Sequence, residues 1–264
     1  FFLYSGLIIL IFLILNFSNI RSFNSLNLAF TIISSGGFLP TNNLSSILIN
    51  NTQIFVFSLL LLLSFFSIFL IYNIIFMKNR NLDFFYEDLH LFFYFIFIIT
   101  IFLIFFSLSD NYSYILLAIT SSISNIGLSI ENYDYKEYFF FLILVIIGGS
   151  FFSTSSGLRF IKIFSLIKFS INELLSHSRP RQVYLSKIAF SKDYVNQIDI
   201  NKYFLSILIF VVSLITVTIL LTISNLNFDT AFKLGILSIM NTVNSNMYGL
   251  GDFYFLKTSY FSNM

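Results

Sequence analysis

The sequence predicts an all-α, polytopic membrane protein built of repeated units, and three observations support that fold class. Hydrophobic residues make up 57% of the 264 residues and charged residues only 10%, a composition far outside the range of soluble globular domains. Seven long blocks contain no Asp, Glu, Lys or Arg, and three hinges rich in Ser, Gly and Asn recur along the chain. The charge-free blocks are 1–20, 22–77, 89–109, 111–130, 138–158, 203–228 and 234–251.

Five apolar segments are long enough to cross a bilayer, whose core requires about 20 residues of α-helix. These segments lie near 1–17, 52–77, 91–109, 138–170 and 203–224. Three shorter segments, 24–35, 112–125 and 228–243, better fit re-entrant helices that enter the membrane and stop. Each re-entrant segment is therefore expected to follow a spanning helix.

Each re-entrant segment leads into a hinge, and the first, second and third hinges cover 31–38, 120–128 and 240–251. A helix that stops at small polar residues inside the bilayer leaves backbone carbonyls unpaired. Such backbone is tolerated only where it lines a water-filled path or is buried in protein, and rings of carbonyls can replace the hydration shell of an alkali cation. The repeated hinges indicate an ion-conducting membrane protein. Buried turns without an ion path are the alternative.

The order helix, re-entrant helix, hinge and second helix defines a unit. Complete units cover 1–77 and 91–170, and an incomplete unit covers 203–264. The segments 78–90 and 171–202 separate the units, and 10 of the 14 basic residues lie in or beside them. Both are predicted to be cytoplasmic loops, because membrane proteins retain basic residues on the cytoplasmic side.

The hinges are then expected on the external side, where several acidic residues also lie. An acidic mouth raises the local concentration of cations, although an ordinary solvated loop charge explains any single residue equally well. These residues are Asp110, Glu131, Asp134, Glu137, Asp229 and Asp252.

Other chemistry finds little support. The absence of Cys removes disulfides, thiolate metal sites and Cys nucleophiles, and the net charge of +2 predicts no nucleic-acid partner. His90 and His177 lack a second ligand at metal-binding spacing, and Ser153 and Ser155 have no base nearby in the sequence. Asp88, beside His90, is interpreted as part of a helix-entry cluster at the membrane surface. No enzymatic activity is expected.

The segment 138–170 is too long for one span, and glycine and hydroxyl residues interrupt it. Such residues loosen a helix because their side chains compete for backbone hydrogen bonds. A broken helix is therefore predicted. Arg159 follows the break, and a guanidinium at a helix terminus can snorkel to the headgroups. The interrupting residues are Gly148, Gly149, Ser153, Thr154, Ser155 and Gly157.

The ordered hinges, the motif GGSFFSTSSGLR at 148–159 and the basic stretch ending in RPRQVY at 179–184 resemble the TrkH family. These proteins are membrane subunits of the Trk/Ktr/HKT superfamily of potassium transporters. The resemblance spans nearly the whole chain and implies helix–pore helix–filter–helix units around a central pore. The three units resemble the second, third and fourth of four, so the native polypeptide is expected to extend beyond both ends.

The resemblance implies a potassium filter formed by Ser35, Gly36, Gly37, Asn125, Ile126, Gly127, Val243 and Asn244. K⁺ is expected at Ser35, Gly36, Ile126, Gly127, Val243 and Asn244. Asn244 stands where the family has a filter glycine. Asn shares the left-handed backbone conformation of Gly more readily than most residues, so the turn is expected to survive, while the preference for K⁺ over Na⁺ is left open.

The resemblance also implies that the 148–159 loop lies across the pore beneath the filter and gates it. A guanidinium of Arg159 in the pore would repel cations. TrkH-like subunits work as homodimers on a cytoplasmic ring of TrkA-type nucleotide-binding subunits, so 171–202 is expected to dock that ring. Contact of its basic residues with anionic lipid headgroups is the alternative. The chain itself has no nucleotide motif and is expected to bind no cofactor.

The resulting prediction is a multi-pass protein that takes up K⁺ across the bacterial cytoplasmic (inner) membrane. Two alternatives stay open. A proton-linked or respiratory membrane subunit would need ionisable residues inside its helices, and none lies mid-span. A non-conducting remnant or structural subunit is compatible with Asn244 and with the missing unit.

Overall fold

The structure, a computed structural model, describes residues 2–41, 43–67, 83–106, 112–131, 133, 135, 137–178 and 197–250. Within these residues it is mostly α-helical, with almost no β-strand. The helices are α1 (Phe2–Phe17), α2 (Ser22–Ser34), α3 (Asn51–Phe65), α4 (Asp83–Phe106), α5 (Tyr112–Ile123), α6 (Tyr138–Ile146), α7 (Phe160–Ser178), α8 (Gln197–Ile223) and α9 (Phe228–Ile239). Two short parallel strands, β1 (Ile147–Gly148) and β2 (Leu158–Arg159), pair between α6 and α7.

The units pack side by side through the re-entrant helices α5 and α9, each of which contacts a helix of the preceding unit. In the first unit α1 contacts α2 and α3, and α3 contacts α5 of the second unit. In turn α5 packs on α6, α6 on α9 of the third unit, and α9 on α8. This order of contacts brings the three hinges together.

Two clusters of buried apolar side chains lie behind the hinges. One joins α1, α2 and α3 to Ile126 and Leu128 of the second hinge. The other joins α4, α5, α6 and α9 and includes Met240 and Met247 of the third hinge. Each cluster draws on more than one unit, so the units do not fold around separate cores.

Helix α8 carries the clearest membrane-spanning stretch. Its part Ile198–Ile223 contains an 18-residue stretch with a mean hydropathy of 2.9, and it is the one helix among the described residues that is long and apolar enough to cross a membrane. Shorter apolar helices are α1, α3, α5 and the Asp88–Phe102 part of α4. Large side chains such as Phe204, Leu208 and Ile215 are exposed along α8, and a helix that is apolar on its outer faces suits a lipid environment.

Several helix ends differ from the predicted boundaries. α4 begins at Asp83, inside the segment 78–90 that was predicted to be a loop, and α7 and α8 extend into 171–202 from either side. Charged residues mark where an apolar block ends, but a helix satisfies its own backbone groups and can continue past that point. The remainder of these predicted loops, 78–82 and 179–196, lies outside the described residues.

Candidate functional site

The three re-entrant helices end in the same backbone conformation. The residue that terminates each helix is left-handed, with φ of 50° at Ser35, 59° at Asn125 and 50° at Asn241. The amide of the following residue donates back to the carbonyl five residues earlier, which is the Schellman arrangement. These bonds join Gly36 to Thr31, Ile126 to Ser121 and Thr242 to Leu237, at 3.2, 3.0 and 2.9 Å.

These caps fix a common register for the hinges. Two residues after the left-handed position, the first and second hinges have glycines with positive φ, Gly37 at 67° and Gly127 at 81°. The third hinge has Val243 at this position, and Asn244 is not among the described residues with positive φ. The cap hydrogen bonds align the third hinge one residue earlier than the sequence motif does, so that Val243 lies at the position of Gly37 and Gly127.

This register differs from the alignment implied by the predicted K⁺ ligand set, which itself stays a prediction. That set placed Ser35 and Gly36 of the first hinge level with Ile126 and Gly127 of the second. The caps instead pair Gly36 with Ile126, and Ser35 lies one residue before that level. Gly36, Ile126 and Thr242 occupy equivalent positions in the three hinges, and we call these positions the first level. The residues that follow them, Gly37, Gly127 and Val243, form the second level.

The three hinges meet at the second of these levels. A Cβ atom on Gly37 would lie 2.4 Å from the Ile126 carbonyl oxygen and 2.4 Å from Val243 Cγ2. A Cβ atom on Gly127 would lie 2.2 Å from the Val243 carbonyl oxygen. Backbone from three separate units thus comes into direct contact, and only a residue without a side chain fits at the two glycine positions.

A cavity of about 480 Å³ adjoins this meeting point. Glu131 is the acidic residue among those that line it. Its Oε1 accepts a hydrogen bond from the Leu44 amide at 2.9 Å and its Oε2 accepts one from Ser45 Oγ at 3.0 Å. Asn246 Nδ2 donates to the Glu131 carbonyl oxygen at 3.2 Å. Glu131 therefore links all three units at the cavity and places a negative charge there.

The 148–159 loop folds back on itself where the predicted helix breaks. The strands β1 and β2 close its two ends, with Ile147 opposite Leu158 and Gly148 opposite Arg159. A Cβ atom on Gly148 would lie 2.4 Å from the Ser156 carbonyl oxygen. This close approach, like the φ of 90° at Gly157, explains why the loop needs glycine at both ends.

Hydroxyl groups of the loop contact the ends of two re-entrant helices. Thr154 Oγ1 lies 3.3 Å from the Oγ of Ser35, the residue that caps α2. Ser156 Oγ donates to the carbonyl oxygen of Met240, at the end of α9. The loop is thus attached to the bases of the first and third hinges.

The second hinge contacts the break itself through Asn125. In a continuous helix the Val145 carbonyl oxygen would accept from Gly149, but the Gly149 amide donates instead to Ser155 Oγ at 3.0 Å. Asn125 Nδ2 donates to the released Val145 oxygen at 2.8 Å and lies 3.4 Å from Thr242 Oγ1. One amide side chain therefore joins the second hinge, the third hinge and the broken helix.

The fold of this chain is similar to that of a solved structure. The crystal structure of the potassium transporter TrkH from Vibrio parahaemolyticus superposes with a TM-score of 0.80 at 17% sequence identity. The chain has the TrkH fold. The match covers 91% of this chain and 54% of the TrkH chain, so this chain spans about half of that length. No family model and no curated protein matches the sequence.

The match to TrkH confirms two predictions made from the sequence. The fold class is an all-α, polytopic membrane protein, and the resemblance to the TrkH family holds for the fold. The predicted filter residues and the predicted loop residues form two groups that touch each other.

The side chain of Arg159 donates hydrogen bonds to other residues of the 148–159 loop. Its Nη1 lies 3.0 Å from the Ser150 carbonyl oxygen, 2.9 Å from Ser153 Oγ and 3.0 Å from the Ser155 carbonyl oxygen. One Nη1 carries two hydrogens, so these acceptors share them. The half-buried guanidinium is directed into the loop and organises its carbonyl groups.

The loop also satisfies the end of α3. Helix α3 stops at Phe65, and its last carbonyls have no partner within the helix. The Ser150 amide donates to the Phe65 oxygen and the Ser155 amide donates to the Ser64 oxygen, both at 3.1 Å. The loop is therefore fixed to the first unit as well as to its own.

Sequence reasoning missed the environment of Asp88. The side chain is only 2% exposed, and its Oδ1 accepts a hydrogen bond from the Ser67 amide at 3.0 Å. The interpretation of Asp88 as part of a helix-entry cluster at the membrane surface did not foresee that the carboxyl group is buried beside the end of α3. An acidic residue before an apolar block is common at helix entries, so the sequence contains no signal for this burial.

Proposed function

We propose that this protein conducts K⁺ across a membrane through the three hinges and that the 148–159 loop gates this path. The observation that carries the proposal is the attachment of the loop to the first and third hinges, at Ser35 and Met240. The second hinge contacts the helix end just before the loop, through Asn125. A loop in that position can obstruct or release a path between the hinges. TrkH, whose fold this chain has, is a potassium transporter.

The backbone of the hinges supplies the ligands in this proposal. Backbone with positive φ, at the helix caps and at Gly37 and Gly127, turns successive peptide groups in the hinges. In the proposal, the carbonyl oxygens of equivalent residues in the three units face the ion path. Carbonyl oxygens can replace the hydration shell of K⁺. The third hinge departs from the pattern at Val243, a β-branched residue that avoids left-handed backbone. We therefore expect a weaker preference for K⁺ over Na⁺ than three glycine hinges would give.

The contacts between the loop and the hinges can break at a low cost in free energy. Its links to Ser35 and Met240 are hydroxyl hydrogen bonds, and a net contribution of about 1 kcal/mol each is typical of such bonds. Arg159 keeps the loop compact while these links form or break. The guanidinium would also raise the energy of a cation beside the loop.

The remaining parts of the proposal rest on the resemblance. The protein would act as a homodimer in the bacterial inner membrane, with 171–202 docking a ring of TrkA-type nucleotide-binding subunits. Five basic residues within 171–202, and three more between 159 and 168, support a cytoplasmic position for this segment.

Uptake of Rb⁺ by cells that lack their own K⁺ uptake tests the proposal. Cells expressing the protein with its partner ring should accumulate Rb⁺ in a saturable manner, and Gly127→Ser should abolish this because the new side chain meets the Val243 backbone. Gly6→Ser is the matched control, since a Cβ atom there meets nothing within 4 Å. Absence of uptake by folded, membrane-inserted protein would overturn the proposal and favour a structural subunit.

A further inference from the structure

A second cavity, of about 170 Å³, lies between α3, α4 and α5. Helix α3 contributes Phe55 to its lining, α4 contributes Ile99 and Phe102, and the remaining described lining residues lie in α5 between Tyr112 and Ile119. None of these residues belongs to a hinge or to the 148–159 loop. The cavity is therefore separate from the site described above.

The polar groups of this cavity lie at one end. Ser113 Oγ donates to Asn51 Oδ1 at 3.4 Å, and Asn51 and Tyr112 are the first residues of α3 and α5. The two helices therefore enter the membrane from the same face, and Tyr is common at the boundary between membrane and water. Ile119 lies about 10 Å deeper along α5 at the helical rise per residue. The cavity thus has a polar mouth and an apolar interior.

Water does not suit this interior. A buried water needs two to four polar partners, and apolar cavities stay dry or bind small apolar molecules. Phe102, Ile115 and Ile119 are almost fully buried at the cavity. The buried side-chain atoms that lack a hydrogen-bond partner among the described residues all belong to residues outside this lining. The chemistry of the lining therefore selects an apolar occupant.

The cavity is continuous with the surface that faces lipid. Phe55 and Tyr112 are each about half exposed. Leu59 and Ile96, one helical turn from Phe55 and Ile99 on the same helix faces, are also exposed. In a membrane protein the surroundings at this depth are acyl chains. An acyl chain is narrow enough for the cavity, whereas a helix of a partner protein, about 10 Å across, is too wide.

We propose that this cavity binds one acyl chain of a phospholipid from the leaflet on the hinge side. Helix α5 leads directly into the second hinge, and Ile119 lies shortly before Asn125, which terminates that helix. The bound chain would support α5 behind the second hinge. The proposal does not depend on transport, because lipid binding can be measured on purified protein that moves no ion.

Fluorescence quenching of a single Trp tests the proposal, since the chain has no Trp of its own. Tyr112→Trp places the reporter at the mouth of the cavity, and Phe204→Trp places one on the exposed surface of α8. Each purified protein, in detergent micelles, is titrated with a phospholipid whose acyl chains carry bromine, which quenches Trp at close range. We expect Tyr112→Trp to saturate at a lipid content several-fold lower than Phe204→Trp does.

Filling the cavity should remove this difference. Ile99→Phe, added to Tyr112→Trp, should shift its titration to that of Phe204→Trp. Ile209→Phe, added instead on the exposed surface of α8, should leave the titration unchanged. Leu116→Phe fills the cavity from α5 and replaces Ile99→Phe if that variant does not fold.

The results that would overturn the proposal are distinct. Identical titrations of the two reporters would show that the cavity holds no lipid. Saturation that persists in both filled variants would place the bound lipid elsewhere. Saturation by a brominated free fatty acid at the same content as by the phospholipid would overturn the assignment to phospholipid. A further measurement is the unfolding temperature, which added phospholipid should raise in the wild type and not in the filled variants, because a ligand stabilises the state that binds it.

Discussion

The side-chain amide of Asn125 donates a hydrogen bond of 2.8 Å to the carbonyl oxygen of Val145. Asn125 terminates α5 with a left-handed backbone, and Val145 lies in the last turn of α6 before the break. A single bond thus connects the second hinge to the point at which the 148–159 loop begins. Both residues are fully buried, so water cannot replace this bond easily.

Replacement of Asn125 by Gly should isolate the contribution of this bond, because Gly keeps the left-handed conformation. We expect a loss of about 1–3 kcal/mol in the free energy of unfolding, since the buried Val145 oxygen would lose its donor. Denaturant unfolding provides the measurement. Asn225→Gly is the control, because Asn225 also has positive φ, at 67°, but is exposed. Equal effects of the two changes would contradict a specific role for the Asn125 amide.

Replacement of Arg159 by Gln should loosen the 148–159 loop, because three of its backbone or hydroxyl oxygens would lose a charged donor. We expect faster amide hydrogen exchange in residues 150–156 and unchanged exchange in α8. Hydrogen exchange followed by mass spectrometry measures both regions at once. Arg21→Gln, at an exposed position before α2, should leave the loop unchanged. Uniform faster exchange throughout the chain would indicate global destabilisation instead.

The register of the third hinge leads to a prediction about selectivity. Val243→Gly should restore glycine at the level of Gly37 and Gly127 and strengthen the preference for K⁺. We expect the Na⁺ concentration that halves Rb⁺ uptake to rise several-fold. Asn244→Gly, the change suggested by the sequence motif alone, should have little effect. The opposite result would mean that the motif, rather than the cap hydrogen bonds, identifies the filter position.

The charge of Glu131 should matter for the capture of cations. Glu131→Gln keeps an acceptor for the Leu44 amide but removes the negative charge from the 480 Å³ cavity. We expect the half-saturating Rb⁺ concentration to rise about 2–5-fold at low ionic strength, with a smaller effect in high salt where charges are screened. The maximal rate should change little. Glu173→Gln, at an exposed position on α7, should behave like the wild type, and an effect independent of salt would argue for a structural role alone.

Local patterns in the sequence predicted much of the fold. The long charge-free blocks predicted an all-α membrane protein, and the clusters of small polar residues marked the positions at which α2, α5 and α9 end. Gly148 and Gly149 predicted the broken helix for the same reason, because glycine acts on the backbone of its own segment. These features depend on neighbouring residues and are visible without tertiary structure.

Features that depend on distant partners were not predictable in this way. The register of the third hinge is set by a bond from Thr242 to Leu237, whereas the sequence motif aligned Asn244 by residue type. The partner of the Asn125 amide lies 20 residues away in another helix. Likewise, the burial of Asp88 follows from the end of α3 and the start of the loop, which only the folded chain brings to its carboxyl group.

The parallel pairing of β1 with β2 has a consequence for how the 148–159 loop could open. Backbone bonds join the two ends of the loop, and Arg159 fills its interior, so the loop is a closed ring that cannot lengthen by unravelling. We expect such a ring to move as one rigid part. Packed interfaces tend to switch between discrete arrangements and do not deform continuously, so the loop should have a small number of distinct positions. If the loop is the gate, the current through a single molecule should step between two levels, without graded intermediate values.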